Sequence, residues 1–255
     1  MVRVLIGALL AMTVVICPAL AQVPSPSDHY LSYRVEPQPR PAPIVVGDQF
    51  IPQLQADVQQ LERLLNPVRQ NGEAFIDSTA HLDWWRITPN PYVGQQVAVI
   101  NKFGQGVWNI EALEFLLVPS RKNEPAGIPL PDNINHFLCY RAAATGPQPT
   151  LPLHLEDQFR QVTVDVGPPR FFCAPCRKRH NNIDYPIVDP DVHLAVYEVY
   201  PPTFTIPVLL YDQFGLFQTP VVSPPPEYLF VPSLKDVGVP TEPGTWGRIK
   251  GMYGS

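Results

Sequence analysis

The side chains best suited to chemistry fall in one stretch, from His136 to His180, which holds Cys139, Cys173 and Cys176. Cys173-Ala-Pro-Cys176 spells C-x-x-C, the spacing of a thioredoxin-type redox pair. That pair needs a strand-to-helix turn whose helix end lowers a thiol pKa. The three cysteines with His136 or His180 would also meet the ligand count of a zinc site. A disulfide is the third chemistry. The positions of Cys139 and Cys173 within an internal repeat are both cysteine in one unit and both something else in the other three. Joint presence is what a bonded pair leaves behind, so the expected bridge is Cys139–Cys173, with Cys176 a free thiol open to reaction.

The repeat that sets those positions starts each unit at a histidine: His29, His81, His136 and His193. Each unit closes at a proline, Pro67, Pro119, Pro175 or Pro232, 38 or 39 residues after its histidine. Between them lie Asp48-Gln49-Phe50, Asn101-Lys102-Phe103, Asp157-Gln158-Phe159 and Asp212-Gln213-Phe214. A period near 50 marks a repeat architecture. Even units share His-Leu openings and Phe-Gly after the middle signal, and odd units share His-Tyr/Phe-Leu-Ser/Cys-Tyr-Arg. The double period predicts two tandem domains, residues 28–125 and 132–238, each built from two related halves of about 50 residues.

The signals His-x-Leu-Cys-Tyr, Asx-Gln-Phe-Gly and Leu-Cys-x-Pro-x-x-Lys resemble an uncharacterised family of exported bacterial repeat domains of unknown function. The resemblance spans residues 28 to 237, and only the third unit keeps both cysteines. It implies no activity and no catalytic residues.

The elements carrying these residues read as strands. With 33 prolines in 255 residues, few windows suit a helix interior. The expected class is all-β: a β-sandwich or partly closed barrel, with four strands per unit and eight per domain. Tyr33, Trp85, Tyr140 and Tyr197 share one strand position and read as core anchors, with a carbohydrate-stacking row as the sharper alternative. Strands Val97–Ile100 and Val208–Tyr211 lead into turns where the Asx bonds local amides and Phe50, Phe103, Phe159 or Phe214 buries. A catalytic acid or calcium ligand is the competing role for the Asx, weakened by Asn101. Val162, Val164 and Val166 alternate as on a strand. Leu54, Val58, Leu61 and Leu65 are spaced as on a helix face, in conflict with the repeat register, which favours strand around Leu61 to Leu65.

The repeated histidines are expected to open strands and cap backbone carbonyls; metal binding or catalysis is the alternative. Arg177 to His180 reads as a solvated loop, with a polyanion site as the minor option. No nucleophile elbow, zincin helix, phosphate loop or dinucleotide fingerprint occurs.

Arg3, the apolar run Val4 to Ile16 and Ala19-Leu-Ala21 read as a signal peptide, residues 1–21, too short for a membrane span. Cys17 would suit a lipoprotein, but Ile16 stands where a small residue belongs. Without Arg3, 17 basic residues face 23 acidic ones, which argues against a nucleic-acid partner. Residues 239–255 read as a loose tail. The expectation is an exported, non-membrane-spanning, non-enzymatic binding or structural protein without cofactor or metal. Its ligand is open, with an envelope protein or a glycan as the partner class. The alternative is a thiol-redox enzyme using Cys173 and Cys176, or an unrecognised hydrolase.

Overall fold

The computed structural model describes residues 27–125, 127–145, 152–222 and 224–236. The expected leader 1–21 and tail 239–255 lie outside the described residues. Within them the chain is all-β, fourteen strands joined in one sheet with no helix.

Each unit supplies an opening strand that starts at its histidine and a closing strand that carries its proline. These are β1 (His29–Gly47) and β2 (Leu54–Gln70), then β3 (His81–Thr88) and β5 (Gly104–Lys122) with β4 (Tyr92–Asn101) between them. In the third unit β6 (His136–Thr145) opens and β9 (Val166–His180) closes, with β7 (Leu153–Glu156) and β8 (Gln161–Val164) between. A short β10 (Ile183–Tyr185) follows. The fourth unit has β11 (His193–Val199), β12 (Thr205–Asp212), β13 (Gly215–Val222) and β14 (Glu227–Asp236).

Opening and closing strands pair antiparallel within every unit, in one repeated register. His29 stands opposite Val68, His81 opposite Ser120, His136 opposite Cys176 and His193 opposite Ser233. The residue after each histidine faces the closing proline: Tyr30, Leu82, Phe137 and Leu194 face Pro67, Pro119, Pro175 and Pro232. Between units β2 pairs with β3, β5 with β6, β9 with β11, and β14 returns to β1. Eight strands therefore close a circuit, interrupted by bulges. The proline has a reason to recur. The last inter-unit pairs are Leu65–Leu82, Leu117–Phe137, Cys173–Leu194 and Phe230–Tyr30, each two residues before the proline. A residue without an N–H is tolerated where the neighbouring ladder has ended.

This closure bears on the two expected domains. The segments 28–125 and 132–238 share one ladder at β5–β6 and β14–β1, so neither closes on itself. The physical reason is that each half leaves an unpaired strand edge at both ends, and the two halves satisfy each other.

The strand period sends alternate side chains to the two faces of the circuit. Every ring strand contributes to one face, a cluster containing Tyr30, Leu65, Leu82, Trp84, Phe115, Leu117, Phe137, Cys139, Cys173, Leu194, Val196 and Phe230. Directly opposite on β6 and β9, Cys139 and Cys173 form a disulfide within that cluster. Removing it with Cys139→Ala/Cys173→Ala deletes a link closing 34 residues. That is expected to cost about 3–4 kcal/mol, read as a lower urea midpoint. Where Cys139 would stand in the first unit, Ser32 receives a hydrogen bond from Arg63, itself paired with the fully buried Glu227 at 3.1 Å. Burial favours an uncharged Arg63 and Glu227 opposes that, so the ion pair caps one end of the cluster.

The other face carries the larger core, covered by the middle segments of the units. The coverage repeats too. The end of each closing strand pairs with the middle segment of the unit two further on: β2 with β7, β5 with β12, β9 with the end of β1, and β14 with β4.

The helix-like spacing at Leu54 to Leu65 belongs to strand β2. Bulges between Val58 and Gln60 and between Leu61 and Arg63 each skip a residue in the pairing with β3. They turn the two-residue period into steps of three, so Val58, Leu61 and Leu64 share one core. Leu65 then faces the opposite cluster. Arg177 to His180, expected as a solvated loop, is likewise strand: it ends β9, and Lys178 is 1% exposed. With β1 paired on one side and β10 on the other, Lys178 and His180 point into the core while Arg177 and Arg179 stay exposed.

Candidate functional site

The repeated polar residues meet at four sockets on the outer face. In each, the Asx first shapes its own turn. Asp48 Oδ1 accepts from the amides of Phe50 and Ile51, Asp157 Oδ1 from Phe159 and Arg160, and Asp212 Oδ1 from Phe214 and Gly215. Asn101 accepts from Phe103.

The remaining side-chain atom reaches the strand aromatic of the unit two away. Tyr140 donates to Asp48 at 2.8 Å, Tyr33 to Asp157 at 2.6 Å and Trp85 Nε1 to Asp212 at 2.7 Å. Asn101, neutral, reverses the direction and donates to the Tyr197 hydroxyl at 3.0 Å. The phenylalanine beside each Asx meets the same aromatic edge-on. Centroid distances are 5.2 Å for Phe50–Tyr140, 5.2 Å for Phe159–Tyr33, 4.9 Å for Phe214–Trp85 and 5.2 Å for Phe103–Tyr197. Each such pair adds roughly 0.5–1.5 kcal/mol beyond its buried area.

The middle residue of each turn reaches a histidine. Gln49 lies 2.8 Å from His193 Nε2, Gln213 3.3 Å from His136 Nε2 and Gln158 3.5 Å from His81 Nε2. In the second unit Lys102 replaces glutamine and pairs with Glu73 at 2.9 Å, whose carboxylate lies 3.9 Å from His29. His81, His136 and His193 thus serve side chains of other units. His193 also caps a carbonyl in the expected way, at Asp191 O.

Burial dominates the electrostatics. His29, His81 and His136 are pushed down to about 3, and His193 to about 4, first by burial. A neighbouring lysine adds to the shift in every socket: Lys102, Lys122, Lys178 or Lys235. The last three stand three residues after a closing proline. Their amines lie over the turn phenylalanines, Lys122 4.1 Å from Phe159, Lys178 5.1 Å from Phe214 and Lys235 5.2 Å from Phe50. Burial lowers Lys122 and Lys178 to about 7. The sequence carries this lysine in three units, and its recurrence at that offset is the signal that finds it.

One socket holds two acids. Asp83 on β3 is fully buried and accepts from Ser120 at 3.0 Å, and burial, then the adjacent Asp212, raise its carboxyl well above the usual range. Asp212 is raised to about 6 by burial, against donors that include Trp85 and Asp83.

Cys176 faces this outer core and is 0% exposed. Burial, and then Asp48, push its thiol well up, so no thiolate forms there. Cys173 is bonded to Cys139 on the opposite face, and the segment runs through a strand without a helix end. The C-x-x-C pair is therefore not brought together as a redox dithiol.

The socket around His81 opens to solvent. Its cleft is about 360 Å³ and is lined by Arg69, Phe75, Thr79, His81, Lys122 and Gln158, with Glu124, Glu156 and Asp157 at the edge. Lys122 donates to Asn66 Oδ1 at 2.9 Å, and Asn66 donates to Asp157. Arg69 lies 4.7 Å from the Phe75 ring.

The model of a repeat of unknown function, DUF7450, matches residues 81–231, more than half of the chain. The chain belongs to this family. The matched span begins at the second unit; the first unit, which precedes it, repeats the same register and socket contacts. No curated protein and no solved structure matches the chain.

Proposed function

We infer that this DUF7450 protein is exported and does binding or structural work, non-enzymatically, with an envelope protein or a glycan as the partner class. The observation that carries the reading is the use made of the repeated polar residues. Each Asx carboxylate or amide, each turn glutamine and each strand aromatic is committed to another unit, as the parts of a scaffold are. Groups spent on turns and cross-unit bonds are poorly placed to act as general acids, which must reach a substrate. The leader-like residues 1–21 and the disulfide both suit an oxidising compartment.

Expression with its own leader in a bacterial host tests this. The protein is expected in the extracytoplasmic fraction, beginning at Gln22, with no thiol reacting natively and one, Cys176, reacting after denaturation. Retention in the cytoplasm with residues 1–21 intact would overturn the address. A native thiol that supports disulfide exchange and is lost in Cys176→Ser would restore the redox enzyme.

A further inference from the structure

The third unit carries an element with no counterpart in the second. Strand β10 places Tyr185 directly opposite Lys178 on β9, with its ring 4.3 Å from the amine and 5.1 Å from the His136 ring. Lys178 is thereby held between two rings, Tyr185 and Phe214. The equivalent groups are His81 and Lys122 of the second unit, with His81 opposite Ser120 as His136 is opposite Cys176, and Phe159 from the turn of the third unit. Phe159 covers Lys122 as Phe214 covers Lys178. Among the described residues no strand follows β5 as β10 follows β9; the ring that lines this side is Phe75, set against Arg69 at 4.7 Å. Lys122 and His81 instead line the open cleft.

We propose that this cleft binds a phenolic ring, carried by a small molecule or by a tyrosine of a partner chain, seated on Lys122 and His81 as Tyr185 sits on Lys178 and His136. Three features of the cleft suit such a guest. Its volume of about 360 Å³ admits one substituted ring. An ammonium that burial has partly stripped of water attracts an aromatic face more strongly than an exposed one does. Glu124 and Glu156 also line it and offer acceptors for polar groups at the ring edge. The protein's own Tyr185 is the precedent for the contacts with the amine and with the histidine ring. The inference rests on the reading of the chain as a binding protein and gives that reading a ligand class.

Titration of the mature protein with p-cresol, its saturated analogue 4-methylcyclohexanol, and a blocked peptide with a central tyrosine tests it, followed by NMR and calorimetry. One p-cresol is expected per chain, bound about tenfold more tightly than the saturated analogue, the size of a partly desolvated cation–π contact. Lys122→Met should weaken binding by about the same factor. Should that variant fold poorly, Ser78→Trp, at an exposed rim position, should block the cleft without touching a buried group. Tyr185→Ala should open the equivalent seat and raise the stoichiometry from one to two. Binding of the peptide at least as tight as that of p-cresol assigns the ring to a partner chain, and weaker binding assigns it to a small molecule. No p-cresol binding, equal binding of the saturated analogue, or binding unaffected by both Lys122→Met and Ser78→Trp would overturn the proposal. The export and thiol results stand independently of all these outcomes.

Discussion

Replacing Trp85 with alanine is expected to leave the chain without a cooperative unfolding transition at neutral pH. Trp85 is 0% exposed and bridges the second and fourth units. Truncating a buried tryptophan costs about 3–5 kcal/mol in lost transfer and cavity formation. The same change strips Asp212 Oδ2 of a donor 2.7 Å away in a fully buried site. That adds about 1–3 kcal/mol. The ring contacts with Phe214 and Phe217 go as well. The total is comparable with the entire stability of an ordinary domain, about 5–15 kcal/mol. Two milder variants separate the contributions. Trp85→Phe keeps a ring and loses the donor, and Tyr33→Phe loses only the hydroxyl that reaches Asp157. Each should cost about 1–3 kcal/mol by urea denaturation. A Trp85→Ala protein within about 1 kcal/mol of the parent would mean that the sockets are not what holds the units together.

The aromatics, turns and closing prolines were legible because each answers to a local rule and recurs at fixed spacing. Strand alternation puts Tyr33, Trp85, Tyr140 and Tyr197 on one face, and an Asx before Phe forms a turn with its own amides. What those groups touch was not legible. Tyr140 and Asp48 are 92 residues apart, and Trp85 and Asp212 are 127 apart. No local propensity reports a contact at such a separation. The closure of four units into one circuit was hidden for the same reason. The duplication in the sequence marks how the chain repeats, while pairing β14 with β1 depends on where the strand edges end in space. Arg177 to His180 misled because charge suggests solvent. Lys178 is buried because its amine lies between rings, a setting that a string of basic residues does not announce. Asp83 replaces the leucine or alanine of the other units at a core position, and that mismatch was available to a comparison of the units.

Acid should destabilise the protein with a slope set by competition between those buried groups. His29, His81, His136 and His193 have folded-state values lowered from 6.5 to about 3 or 4. Their contribution is therefore fully present above pH 6.5 and is lost as pH falls, because the unfolded chain takes up protons that the folded one refuses. Each histidine contributes a slope of about 1.4 kcal/mol per pH unit over that range. Asp48 and Asp212 act with the opposite sign. Their folded values are raised to about 6, so their stabilisation is greatest at low pH and is lost as pH rises from the unfolded value toward 6. Asp83 shares that sign. Between pH 6 and 4 the four histidines take up protons on unfolding while the fewer raised aspartates release them, so the net is uptake and stability falls on acidification. Two substitutions should move this slope in opposite directions. His136→Asn removes one histidine and should flatten it by about 1.4 kcal/mol per pH unit. Asp83→Asn removes one raised carboxyl, keeps a donor for Asp212, and should steepen it while stabilising the protein at neutral pH. Urea denaturation at pH 7, 6, 5 and 4 reads both slopes, and a His136→Asn slope equal to the parent's would show that this histidine is not held neutral in the fold.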